Sequence, residues 1–352
     1  MPVSEPIQAR EPEPVEGSEH YTLKSIPHLF SLSLSLFLLF LLSFNWEVTG
    51  SDVHAADAPH TYPIAHDNKY DSFNGETTGF SIGSTDVTTY TIYLPIVLSR
   101  ELNPKKGVFM THPPCSDVTM LTASWYFNCS VRPTSTCPTP DKRFIPLIHN
   151  AGSMADLSEA IANAQASGWL MGFNEPNLSW QGNMTPAEAA ELWPQIEAQA
   201  QATGIKLVSP APSQHDPNWL WRMVDEYRAR HGGQSPRFDA IAWHIYATDP
   251  TTMQNFLIAR RNEALARGYD VPIWVTEYGG YCWESTTGNT GNYEIMTAVT
   301  LWFNSTPWIG RYAWFANRIY GTEPWATGWQ SCSLVNVTTG ALNPLGVIYA
   351  GY

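Results

Sequence analysis

Charge is scarce in this chain. Asp, Glu, Lys and Arg make up 14% of its 352 residues, against about 25% in an average globular protein. Cations are the scarcer sign: 19 Lys and Arg face 32 Asp and Glu, a net charge of −13. No basic stripe is present, which removes nucleic acid as a partner, because phosphate binding needs clustered cations. CxxC and paired His–Cys spacings are absent, so no structural zinc site is expected. A Gly-rich phosphate loop is also missing. The first apolar strand ends at Met110 and runs into Thr111-His112-Pro113-Pro114-Cys115, which argues against an open doubly wound nucleotide-binding sheet.

What is present is aromatic and apolar. Hydrophobic residues reach 43%, so most of the chain is not disordered, and there are 15 Trp, 27 Pro and 24 Gly. An acidic surface of low charge density and many indoles suits uncharged polar ligands, sugars foremost.

The N-terminal third reads as targeting and linker. Residues 29–44, LFSLSLSLFLLFLLSF, form one apolar run. It is slightly short for a spanning helix and slightly long for a signal-peptide core. Val53-His54-Ala55 has the small-x-small pattern of a cleavage site, whereas the acidic residues before the run, where a basic segment is expected, keep an uncleaved membrane anchor as the alternative. Residues 1–55 are therefore expected to be a signal peptide or signal anchor, and the rest to be exported, secreted or held at the cell surface. Residues 56–104 are rich in Thr, Ser, Asp, Gly and Pro, with one strand-like patch at 91–98, and read as a linker.

Five cysteines suit an oxidising compartment. The expected disulfides are Cys282–Cys332 and one pair among Cys115, Cys129 and Cys137, with one thiol left over.

From Lys105 short apolar runs alternate with helical patterns. Eight strands are expected, at 107–110, 123–128, 144–150, 169–175, 206–211, 239–246, 272–278 and 311–316. Most are continuously apolar, as parallel strands covered on both faces are. Between them lie helix signals: the capping box Thr185-Pro186-Ala187-Glu188, the start Asp216-Pro217, and stop positions at Gly204 and Gly268. Leu220, Met223, Val224 and Tyr227 share one helical face, as do Ile295, Ala298, Val299 and Trp302. Asn343-Pro344 opens a last short helix. Eight strand–helix units within 105–352 predict an α/β fold, a (β/α)8 TIM barrel.

Two of these strands end in glutamate: Met171-Gly172-Phe173-Asn174-Glu175-Pro176-Asn177 and Trp274-Val275-Thr276-Glu277-Tyr278-Gly279-Gly280. Their spacing places them at matching heights on the fourth and seventh strands, across one barrel mouth. A carboxylate there is costly unless solvated, hydrogen-bonded or given a task. Paired carboxyls suit glycoside hydrolysis, one as acid and the other ionised. Trp169 and Phe173 flank Glu175 and favour its protonated form, while backbone amides near Gly279 and Gly280 would keep Glu277 charged.

The two motifs resemble the signatures of the glycoside hydrolase clan whose catalytic residues follow strands four and seven. The finer pattern resembles glycoside hydrolase family 128, endo-β-1,3-glucanases. It adds Ser124-Trp125-Tyr126-Phe127-Asn128, Trp243-His244-Ile245-Tyr246 and Trp314, and covers roughly 105–352. The resemblance implies Glu175 as general acid/base, Glu277 as nucleophile and Asn174 as donor to the sugar 2-hydroxyl. Tyr126, His244, Tyr246, Trp314 and Trp283 are the further substrate-binding candidates. His244 and Tyr246 share strand parity. If that side is the pocket, Tyr246 reaches Glu277; otherwise His244 is a satisfied interior histidine.

Loop aromatics after strands seven and eight, Trp283, Tyr320, Trp325 and Trp329, suit a subsite wall. Asn177 sits too near the proposed acid for its sequon to carry a glycan. Neither cofactor nor metal is expected, the partner is a β-glucan, and a monomer is expected. Other β-glycanases of the clan, acting on cellulose, xylan or mannan, are the alternative. A non-catalytic polysaccharide-binding surface protein is the alternative of a different class.

Overall fold

The computed structural model describes residues 80–82, 90–92, 101–280, 282, 288–322 and 326–352. The chain divides into two compact units, Met1–Tyr93 and Leu94–Tyr352. The apolar run at 29–44 and nearly all of the expected linker lie outside the described residues. In the first unit, β1 (Phe80–Ile82) pairs antiparallel with β2 (Tyr90–Ile92). Among the described residues, no helix is long and apolar enough to cross a membrane.

The second unit is an α/β fold built on parallel pairing. Its strands are β3 (Lys106–Phe109), β4 (Trp125–Phe127), β5 (Trp169–Met171), β6 (Lys206–Val208), β7 (Ile241–Tyr246), β8 (Ile273–Gly279) and β9 (Ile309–Trp314). Ladders join them in the order β4-β3-β9-β8-β7, and separately β5-β6. Single parallel bridges supply the remaining neighbours: Tyr126 with Phe144, Leu147 with Met171, and Val208 with Ala240. The pairings thus follow chain order and return to their start. The expected third strand, 144–150, contributes only its two bridges. Pro146 has no N–H to donate, so a ladder cannot run through it.

Every residue of β7 and β8 is buried, the signature of strands covered on both faces. The covering helices include α1 (Ser116–Met120), α2 (Leu157–Ser167), α3 (Pro186–Thr203), α4 (Trp219–Arg230), α5 (Pro250–Ala266), α6 (Gly288–Glu294), α7 (Thr300–Ser305) and α8 (Pro344–Ala350). Thr185 caps α3 by accepting from the Glu188 amide at 3.1 Å, worth about 1 kcal/mol. Gly204 ends α3 in the left-handed conformation, φ 73°, where a Cβ would be strained. α4 begins at Trp219, two residues beyond Asp216-Pro217; Asp216 accepts the Trp219 amide and pairs with Arg222.

One face differs from expectation. Residues Ile295–Val299 form a π-helical turn, so the buried set is Ile295, Met296, Val299, Thr300 and Phe303, and Ala298 is exposed. The wider turn advances the register past the 3.6-residue spacing.

Cys282 is bonded to Cys332, and Cys115 to Cys137; Cys129 is the free thiol.

Candidate active site

The two glutamates meet at the C-terminal ends of the strands. Glu277 lies within β8, and Glu175 follows β5 in a tight loop. The Glu175 amide donates to Ala211 O, the Leu178 amide to Glu175 O, the Gly182 amide to Asn174 O and the Met184 amide to Pro176 O, all at 2.8–3.1 Å. Gly182 permits this folding back: a Cβ there would stand 2.6 Å from Asn174 O and 2.9 Å from Pro176 Cα. Glu175 itself has φ 39°, a left-handed backbone that non-glycine residues rarely adopt and that costs on the order of 1 kcal/mol.

A cavity of about 850 Å³ opens over this loop. Within it one carboxylate oxygen of Glu175, one of Glu277 and a ring nitrogen of His244 all lie within 4.8 Å of one another. His244 Nδ1 stands 3.1 Å from Glu175 Oε1 and 3.4 Å from Glu277 Oε2. The Tyr246 hydroxyl donates to Glu277 Oε2 at 2.7 Å. His244 and Tyr246 therefore face the cavity together, as their strand parity allows. These three acid–imidazole side chains also form a donor set that a cation could use. In this structure the same atoms are engaged with one another.

The charge states follow from burial. Glu277 is 6% exposed. Burial pushes its carboxyl from 4.5 up to about 7; the His244 charge opposes this, the Glu175 charge adds to it, and the Tyr246 hydrogen bond opposes it. The backbone amides expected to hold Glu277 ionised are replaced in this role by side chains, Tyr246 and His244. Burial pulls the His244 pKa down, but the charges of Glu277 and Glu175 and the hydrogen bond to Glu175 lift it above its ordinary value. The Tyr246 phenol is held well above 10, first by burial and then by Glu277, so it remains a donor. Burial lowers the pKa of His149, against the pull of Glu175.

Of the sequence-derived candidates, Asn174, His244 and Tyr246 line this cavity with Glu175 and Glu277. Asn174 is buried, and its Oδ1 has no hydrogen-bond partner among the described residues. Tyr126 and Trp314 do not line it. Tyr126 is fully buried, its hydroxyl donating to Asp141 Oδ2 at 3.2 Å and its ring against Phe144. Trp314 packs on Tyr278, and its indole N–H donates to Cys332 O at 2.9 Å. Side chains alternate along a strand, so it is Phe315, one residue on, that faces the cavity. Trp283 and Trp325 lie outside the described residues.

Several lining residues carry no strong sequence signal: Cys129, His149, Gln214 and His215. Gln214 is pinned to the Tyr246 backbone through both its amide atoms. Trp180, 74% exposed on the loop after β5, lines the cavity together with the expected Trp329. It was findable by the same loop-aromatic reasoning that selected Trp329. Asn177 is bound into the fold by two hydrogen bonds to Ser213.

Comparison with known proteins agrees with this geometry. A structure of a family 128, subgroup I, endo-β-1,3-glucanase from Amycolatopsis mediterranei, in complex with laminaritriose, is similar at 28% identity and TM-score 0.56, covering 71% of this chain and 99% of that one. A subgroup II endo-β-1,3-glucanase from Sorangium cellulosum is similar at 26% identity and TM-score 0.56, covering 70% and 97%. Alkali-sensitive linkage protein 1 of Schizosaccharomyces pombe is 26% identical over 233 residues, which are 64% of this chain and 40% of that protein. The chain thus spans well under half the length of this curated relative. The model of the glycosyl hydrolase catalytic core matches residues 111–349. On that match the chain belongs to the glycosyl hydrolase catalytic core family, and it is a glycosidase resembling glycoside hydrolase family 128.

Proposed function

We propose that the second unit is a (β/α)8 barrel and that the chain is an exported, retaining endo-β-1,3-glucanase. The observation that carries the reading is the close approach of Glu175 and Glu277, whose oxygens come within 4.8 Å in one open cavity. Inverting enzymes need roughly 6.5–9.5 Å between carboxyls to admit a water, whereas retaining enzymes use about 5–5.5 Å. The relatives with known structures support β-1,3-glucan as the substrate. In a barrel the ends of the fourth and seventh strands stand across one mouth, which fits the meeting of these two glutamates.

Two buried carboxyls this close hold one proton between them below about pH 7. Tyr246 and His244 both favour the ionised form of Glu277. The double displacement uses the form of the pair in which Glu277 is bare and Glu175 carries the proton to be transferred. Glu277 attacks the anomeric carbon while Glu175 gives its proton to the departing glucosyl oxygen. The C–O bond to the leaving sugar breaks, and a glycosyl ester forms on Glu277. Glu175, now a base, takes a proton from water, whose oxygen displaces Glu277 and restores the original anomer. Asn174 is placed beside this centre with a free carboxamide oxygen to engage a sugar hydroxyl. Phe315, Trp329 and Trp180 offer flat faces along the cleft.

The test uses linear β-1,3-glucan beside cellulose, xylan and mannan, with oligosaccharide release expected from the first alone. Roles are separated with azide and an activated aryl laminarioside. Glu175→Ala should give the β-glycosyl azide and Glu277→Ala the α-anomer. Exchange of the two anomers would reverse the roles, and full activity of Glu277→Ala would end the hydrolase reading.

A further inference from the structure

At the end of the sheet opposite the two glutamates, the first residues of the strands assemble a second cluster. Trp125 opens β4, Trp169 opens β5, Lys206 opens β6, and Trp274 pairs in register with Arg311 of β9. Trp274 packs at a tilt against both, 4.6 Å from Trp169 and 5.6 Å from Trp125. The Arg311 guanidinium lies over all three rings, at 4.7 Å from Trp274, 5.6 Å from Trp125 and 5.7 Å from Trp169. Lys206 sits over Trp169 at 5.2 Å. Glycines make the room: a Cβ on Gly107 would enter the Trp125 ring, and one on Gly310 would stand 3.0 Å from Trp274 Nε1.

This guanidinium differs from the other described arginines. Each of those donates to a carboxylate, a carbonyl or a hydroxyl, as Arg318 does to Asp117 and Arg228 to Ser235. Arg311 has neither a hydrogen bond nor an ion pair with any described residue, and it is half-buried. Indole faces attract the charge but accept none of the five in-plane N–H bonds. Burial, with no acid among the described residues to oppose it, brings its pKa down to about 10. A desolvated cation with an unused donor edge calls for an anion. The glucan is neutral and belongs to the other end of the sheet.

We propose that this mouth binds a small oxyanion, a phosphate, sulfate or carboxylate group gripped edge-on by Arg311, with Lys206 as the second cation. Three indoles fix the plane of the guanidinium and so pre-organise its fork for two parallel hydrogen bonds.

The experiment uses the full wild-type chain and phenylglyoxal, with modified arginines mapped by mass spectrometry. Inorganic phosphate, acetate and chloride are compared at equal ionic strength. Arg311 should be modified in chloride and protected by about tenfold in phosphate or acetate, the size of one charge-assisted pair. Arg222, half-exposed and already paired with Asp216, should react equally throughout. Protection at lower phosphate than acetate assigns a tetrahedral anion, and the converse a carboxylate. In Lys206→Gln, protection should need severalfold more anion. Arg311 refractory in chloride, or equally reactive in all three salts, overturns the proposal, as does unchanged protection in Lys206→Gln.

Discussion

Replacing Glu277 by Gln removes an ionisation that the fold opposes. The carboxyl rises from 4.5 to about 7 on folding, chiefly by burial. Between those values the unfolded chain has released this proton and the folded chain still holds it. Stability therefore falls as the pH climbs through that interval, and the full penalty stands above about 7. At about 1.4 kcal/mol per pKa unit the penalty is about 3 kcal/mol. His244 works in the same direction. Its pKa is raised, so its contribution is complete below 6.5 and is lost as the pH passes its folded value. The amide variant has no proton to lose at 277 and a weaker hold on the His244 charge. Urea unfolding followed by tryptophan fluorescence, from about pH 4 to about pH 8, gives the difference directly. The variant should gain about 3 kcal/mol on the wild type across that range. A difference between the two that stays constant with pH would refute the burial argument, and with it the shared proton of the pair.

Three further outcomes follow from the same centre. The kcat/KM profile should fall on the alkaline side of about 7, where the pair loses its last carboxyl proton; a flat profile to pH 9 would contradict it. Tyr246→Phe deletes the 2.7 Å donor to Glu277, so kcat should drop about a hundredfold with little change in KM, and the alkaline limb should move upward. Gly182→Ala sets a methyl 2.6 Å from Asn174 O. The 174–184 loop must shift, lowering stability by about 1–3 kcal/mol and kcat with it, as denaturation and initial rates would show.

The parts legible in the sequence were those controlled by neighbours along the chain. Apolar runs marked the strands, Thr185 and Gly204 marked the ends of α3, and a glutamate closing an apolar strand marked each half of the site. Parity on β7 placed His244 and Tyr246 on one side. Parity also explains the misplacement of Trp314: the indole is the larger ring, but Phe315 has the inward position. Tyr126 failed for a related reason, since its hydroxyl finds Asp141 outside the cavity. The sequence suggested Glu175 as the lifted carboxyl from its aromatic neighbours. Burial of Glu277 has no such local mark, because it depends on β7 and the β5 loop closing over it, contacts made across 31 and 102 positions of chain. The π turn at Ile295–Val299 likewise has no mark in a periodic pattern.

The backbone of Glu175 has a consequence for how such a protein ages under mutation. Its φ of 39° would suit glycine with no strain, so the residue that best fits the local geometry is one that carries no acid. Selection for folding alone favours exchange at this spot, and only selection for turnover holds the carboxyl in place. In lineages freed from the need to cleave their sugar, position 175 is where erosion should begin, leaving a sturdier fold that grips its ligand and lets it go uncut.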